Sequence, residues 1–219
     1  MFNSPFITIH YSFQFIWHSD DTRVGVWPGT GTGQSPRPGN ITVHSQTLGA
    51  VSNGFQFETR MTEARNAWTT ALNISGLSIN NHTVASTANI RAFGGSRAEM
   101  QRESGDFGNN WGGLAHIRFN TASIGTITVG NRVSTVHNLV NQNRMFVVER
   151  SDASTWTQDN INRTRKTTTH ELGHVLGYFG HPPRIAANDQ DVMWYTNTPH
   201  FTIRQNEGRH LRQAYGNFR

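Results

Sequence analysis

The chain has 219 residues, 35% of them hydrophobic and only 15% charged, with a net charge of +5 and no cysteine. That excludes disulfides and thiolate metal sites, and no apolar run approaches the roughly 20 residues that a membrane-spanning helix needs. The cations are almost all arginines, scattered from Arg23 to Arg219 with Lys166 as the only lysine, whereas a nucleic-acid surface concentrates its charge on one face; no nucleic-acid partner is expected.

The length is enough for one sizeable core, and the richness in Gly, Asn, Ser and Thr suits a loop-rich protein with sheets better than a helical bundle. The start, Met1-Phe2-Asn3-Ser4-Pro5, lacks the basic end and apolar stretch of a signal peptide, which reads as a mature, trimmed or cytoplasmic chain. Ile7 to Phe13 alternates and predicts a strand, and Ser19 to Asn40 predicts a long loop enclosing a short strand at Val24 to Trp27. From Phe55 to Leu72 the period becomes helical. Phe57, Met61, Ala64, Trp68 and Ala71 make its apolar stripe, with Ser52-Asn53 as the expected cap. Strands follow at Thr87 to Phe93, Gly113 to Phe119 and Arg144 to Glu149, with a turn-rich loop from Ser104 to Trp111. A second long helix is predicted from Asp159 to Leu176. A last one starts at Thr202-Ile203-Arg204-Gln205, which has capping-box form, and ends near Gly216. No internal repeat and no linker divides the chain.

The second helix carries the chemistry. In His170-Glu171-Leu172-Gly173-His174 the histidines are four residues apart, so at 3.6 residues per turn both imidazoles leave one face and can reach one metal ion. Glu171 lies beside them, where a carboxylate can take a proton from water activated by zinc without being a ligand itself. Five residues alone recur by chance, but the surroundings add to them. Gly177 can take the left-handed conformation that ends a helix and turns the chain back. His181 lies just beyond that turn, where it can supply the third protein ligand that catalytic zinc needs; His200, Asp189 and Asp191 compete for the role.

The run from His170 to His181 resembles the signature of the metzincin clan, His-Glu-x-x-His-x-x-Gly-x-x-His, which is followed by a methionine turn. It departs at Gly180, which holds the usual third-ligand position and has no ligand atom, so the role passes to His181 on a slightly longer loop. Asp191-Val192-Met193-Trp194-Tyr195 is similar to the methionine turn. The resemblance puts Met193 beneath the zinc as an apolar base, a place that an ordinary core methionine would fill in much the same way. Tyr195 resembles the tyrosine of the astacin-like and serralysin-like branches, whose phenol reaches the zinc or the substrate oxyanion; a buried aromatic is the plainer reading of the same residue. Weaker likenesses to the matrixins cover the helix at Ala67-Trp68, the segment Gly113 to Ile117 as a substrate-binding edge strand, and the closing helix at Tyr215-Gly216. His116 matches the matrixin residue that holds a structural zinc, but Ser104 to Gly112 contains no partner His-x-Asp, so one catalytic zinc is expected; Asp106 is a weak candidate for calcium.

The resemblance implies an α/β fold of the α+β kind: a twisted mixed sheet with two long helices up to about His181, then a small, mostly irregular part, 182–219, with one helix. Both would form a single catalytic domain, 1–219. It further implies a secreted, monomeric, zinc-dependent endopeptidase acting on protein or peptide substrates. His170, His174 and His181 would hold the metal, Glu171 and Tyr195 would be catalytic, and Thr196 to Phe201 would wall the pocket. No cysteine can act as a latency switch on that zinc. Two rivals stand beside this reading. One is a peptidase whose third ligand is a downstream glutamate, for which Glu207 is the candidate; the other is a non-catalytic peptide- or protein-binding module on a peptidase fold.

Overall fold

A computed structural model of the chain describes residues 19, 21–29, 39–129, 132–150, 156–182, 191–194 and 199–217. Its elements are β1 (Arg23–Val26), β2 (Asn40–Leu48), α1 (Phe57–Leu72), β3 (Ser78–Asn81), β4 (Ile90–Gly95), α2 (Arg97–Ser104), β5 (Gly113–His116), β6 (Phe119–Val129), β7 (Arg132–Leu139), β8 (Asn143–Val148), α3 (Gln158–Val175) and α4 (Gln205–Asn217). The fold is mixed α and β, as expected, with the strands divided between two sheets. The larger runs β3-β2-β4-β8-β5, all parallel except β5, which pairs antiparallel with β8 at the edge. The smaller runs β1-β7-β6. The strand expected at Ile7 to Phe13 lies outside the described residues.

Two helices cross the large sheet and are tied to each other. The stripe Phe57, Met61, Ala64, Trp68 and Leu72 of α1 is buried, and the Trp68 indole donates to the Thr169 carbonyl at 2.8 Å, one residue before His170. Glu63 of α1 accepts from Arg165 of α3 at 2.8 Å and from Arg60 of its own helix at 3.0 Å. A buried indole N–H without a partner would cost about 1–3 kcal/mol, so this bond holds α3 in one rotation as well as one place. The cap expected from Ser52-Asn53 is not formed. Gln56 precedes α1 in a left-handed conformation with no side-chain cap, and the Ser52 hydroxyl turns to Glu149 instead. Helix α3 starts on Thr157, whose side chain accepts from the Asn160 N–H. Helix α4 begins at Gln205, later than the Thr202 box implied: Glu207 reaches back to accept from the Arg204 N–H at 2.7 Å, so the acidic cap partner is Glu207.

The small sheet determines where the chain goes after α3. Gly177 has φ +112°, and its carbonyl accepts from the Gly25 N–H of β1 at 2.9 Å. A Cβ on Gly177 would sit 2.0 Å from the Gly25 oxygen, so glycine serves there both the backbone angle and the close crossing.

Candidate metal centre

Along α3 the residues Lys166, His170 and His174 stack at four-residue intervals, with Thr167 and Glu171 beside them, and together they floor a cleft of about 620 Å³. Gly113, Leu114 and Ala115 of β5 line it as well, together with Trp111 and His181. The strand approaches the helix closely: a Cβ on Gly113 would fall 2.4 Å from the Glu171 carboxylate. Strand β5 thus has to present bare backbone where it passes the glutamate.

The histidines are held by backbone carbonyls. His170 Nδ1 lies 2.8 Å from the Val192 oxygen and His174 Nδ1 lies 2.7 Å from the Tyr178 oxygen. A carbonyl only accepts, so each Nδ1 carries the proton, and this assigns each Nε2 as a bare lone pair. Those two Nε2 atoms face each other at 3.0 Å. Two lone pairs at that distance repel unless a cation lies between them. Nitrogens each about 2.0–2.1 Å from one tetrahedral ion would be about 3.3 Å apart, which is close to the observed spacing. The His181 ring lies 5.2 Å from His170 and 5.0 Å from His174, centroid to centroid, and the three residues offer ligand atoms within 4.8 Å of one another. The donor set suits zinc.

Burial shapes the charges. It holds His170 well below its ordinary pKa, helped by the neighbouring His174, Lys166 and His181, and brings His174 down to about 3, so both imidazoles are neutral donors. Burial also raises Glu171 to about 8 against the pull of the Lys166 ammonium, and lowers Lys166 to about 8 against Glu171 and Glu207.

The turn beneath the site is built from the expected Asp191-Val192-Met193-Trp194 segment. Trp194 N–H closes it on the Asp191 carbonyl at 3.1 Å, and Val192 supplies the acceptor for His170. Met193 is fully buried, and a Cβ on Gly173 would meet its sulfur at 2.5 Å, so the thioether lies directly against α3 between the two histidine turns. Glu207 accepts from the Met193 N–H at 2.5 Å and joins the turn to the start of α4.

The other residues singled out from sequence fall elsewhere. Tyr195 and Asp189 lie outside the described residues. Asp191 is buried and faces Arg204 at 3.5 Å, and His200 is exposed; neither belongs to the histidine group. Glu207, the rival third ligand, spends its carboxylate on the two N–H groups of Met193 and Arg204. Phe201, expected along the pocket, lies beneath the Arg165 guanidinium at 5.1 Å. His116 pairs with Asp106 at 2.9 Å and with Arg144 at 3.1 Å. Sequence reasoning passed over Lys166 as a cleft residue and named Gly113 only as part of the expected edge strand. Lys166 was legible from its spacing, one helical turn before His170, whereas nothing in the sequence marks Gly113 as the residue facing Glu171.

No protein-family model and no curated protein matches the chain. Two solved structures of myroilysin align with most of it. One is 12% identical and covers 89% of this chain and 90% of that one, with a TM-score of 0.37; the other is 12% identical and covers 82% and 94%, with a TM-score of 0.36. A likeness this faint bears on neither the site nor the activity.

Proposed function

We propose that the protein is a zinc-dependent endopeptidase, with His170, His174 and His181 as the metal ligands and Glu171 as the general base. The observation that carries this reading is the pair of inward-facing Nε2 lone pairs with Glu171 beside them, opening on a cleft lined by an edge strand. A zinc ion bound there would polarise a scissile carbonyl and bring the pKa of water toward about 7.

The chain's own groups account for the rest. β5 has β8 on one side and no other described strand on its outer side, so an extended peptide can pair with its backbone N–H and C=O groups beside Leu114 and Ala115. Glu171 takes the proton of the attacking water and delivers it to the leaving amine. Its burial favours the protonated form, and a divalent charge on the histidines opposes that, so the carboxylate is poised to exchange a proton near neutral pH. The Tyr195 phenol donates to the developing oxyanion. Nothing in the geometry favours a binding module over an enzyme.

The test is digestion of casein by the zinc-loaded protein, with and without a chelator, beside Glu171→Ala. The variant should keep one zinc per chain and lose activity by at least about 10²-fold. Near-normal proteolysis by it would remove Glu171 from the mechanism.

A further inference from the structure

The reaction as proposed leaves an aromatic side chain of the cleft without a role. Val84, Trp111, Ile124 and Val133 are the exposed large hydrophobics among the described residues, and Trp111, 48% exposed, is the one that lines the cleft. Leu114, Ala115 and Ile117 line it too, and none of the three is fully buried. The loop that carries Trp111 is tied to α2. Arg97 donates to the Gly108 carbonyl at 2.8 Å with its guanidinium over the Phe107 ring at 5.7 Å, and Gln101 donates to the Asn109 side chain at 2.8 Å. Trp111 then closes the loop on itself. Its N–H donates to the Gly108 carbonyl at 3.2 Å, and its indole meets the buried Phe107 ring edge-on, with centroids 6.2 Å apart. A Cβ on Gly108 would fall 2.7 Å from the indole, so glycine lets the ring lie against the loop. The indole is held in place before any substrate arrives, and about half of it is left open. A ring fixed beforehand loses little freedom on binding.

Position limits what the indole can meet. Gly113 passes Glu171, beside which the scissile bond has to lie. Trp111 is two residues earlier, and two residues of chain span at most about 7 Å. An extended peptide advances about 3.3 Å per residue, so a ring at that place meets a side chain one to three residues from the bond. The lining residues that this segment supplies, from Asn110 to Ile117, are uncharged, which suits an apolar partner.

Resting on the peptidase reading, we infer that Trp111 determines specificity: it makes the cleft select a substrate with a large apolar side chain, aromatic above all, one to three residues from the scissile bond. The test uses the zinc-loaded full chain and internally quenched peptides in matched pairs, Phe against Ala at each of the three positions on either side of the cleavage point. The expected result is a kcat/KM about tenfold or more higher for the Phe member at one position, the scale of an aromatic pair together with the apolar area it buries. The same preference should appear as tighter binding of the uncut Phe peptide by Glu171→Ala. Trp111→Ala should bring the ratio of rates close to one, and Trp111→Phe should keep much of it. Both members are read on one preparation, so a variant that folds less well loses both rates equally and keeps the ratio. A tryptophan that only closes the loop predicts a lower melting temperature and an unchanged ratio in Trp111→Ala. Equal rates for every pair, equal affinities in Glu171→Ala, or a ratio unchanged in Trp111→Ala overturns the inference and leaves the peptidase standing. Cleavage of no peptide in the set overturns both.

Discussion

Two clusters in this molecule set histidine near a carboxylate and differ in what they leave for a metal: three histidines beside Glu171 in the cleft, and the single His116 beside Asp106 on the sheet edge. In the cleft, His170 and His174 give their Nδ1 protons to the Val192 and Tyr178 carbonyls, and their Nε2 atoms are left 3.0 Å apart with His181 beside them. On the outer edge of the large sheet, His116 meets Asp106 through Nε2 and Arg144 through Nδ1, so both ring nitrogens already have side-chain partners. Its own exposure is intermediate, and Asp106 is open to solvent. A candidate metal site is thus not a matter of having histidines near carboxylates. It takes carbonyl acceptors on the far side of each ring to turn the lone pairs onto one point, and enough burial to keep protons off them.

The contrast can be broken most sharply at His181. His181→Ala should lose the zinc on dialysis and the activity with it, because two histidines on one helix do not hold the ion against exchange. Metal analysis is the readout; retention of zinc here, with loss in His200→Ala, would give the third place to His200. The next effect in size belongs to Tyr195, which tests whether the cleft uses more than its metal. If the proposed phenol–oxyanion hydrogen bond forms, Tyr195→Phe should lower kcat by about 10- to 10³-fold with little change in KM or zinc content, since such a bond would exist only in the transition state. A lower melting temperature with kcat unchanged would make Tyr195 a packing residue.

Gly177→Ala probes the scaffold that returns the chain to His181. A methyl group 2.0 Å from the Gly25 oxygen, on a residue at φ +112°, should cost about 2–3 kcal/mol in denaturant unfolding. Stability like that of the unmodified protein would mean that β1 and the turn can separate freely. The smallest effect is expected at the second cluster. His116→Ala removes a solvent-facing pair and should cost no more than about 1 kcal/mol, with zinc content unchanged. Loss of metal from that variant would erase the distinction between the two clusters.

The chain's local patterns were legible wherever one residue type carried one physical demand. The 3.6-residue spacing placed α1 and α3 to within two residues of their observed starts and ends, and the short apolar runs marked β1 and β8. Other elements escaped for physical reasons. β6 and β7 are largely polar, with Thr, Ser and Asn along them and much of β6 exposed, so they show little of the alternation that marks a half-buried strand. α2 has Met100 as its one buried residue and therefore no apolar stripe to read. The caps of α1 and α4 were misplaced because the competition among nearby polar groups is settled by neighbours far along the chain. Ser52 turns to Glu149, and Glu207 serves the start of its own helix and Met193 at once.

The sequence by itself determined that His170, Glu171 and His174 share a helix face and that Gly177 turns the chain after it, because helical period and the freedom of glycine are properties of local backbone. The tertiary structure decided the remainder. It chose His181 over Asp191 and Glu207 as the neighbour of that pair, engaging both carboxylates with Arg204, Met193 and the start of α4. It aimed the imidazole lone pairs by means of the Val192 and Tyr178 carbonyls, and it laid β5 against Glu171 at Gly113. These are choices among partners distant in sequence, and they depend on which burial and hydrogen-bond demands the whole chain can meet together.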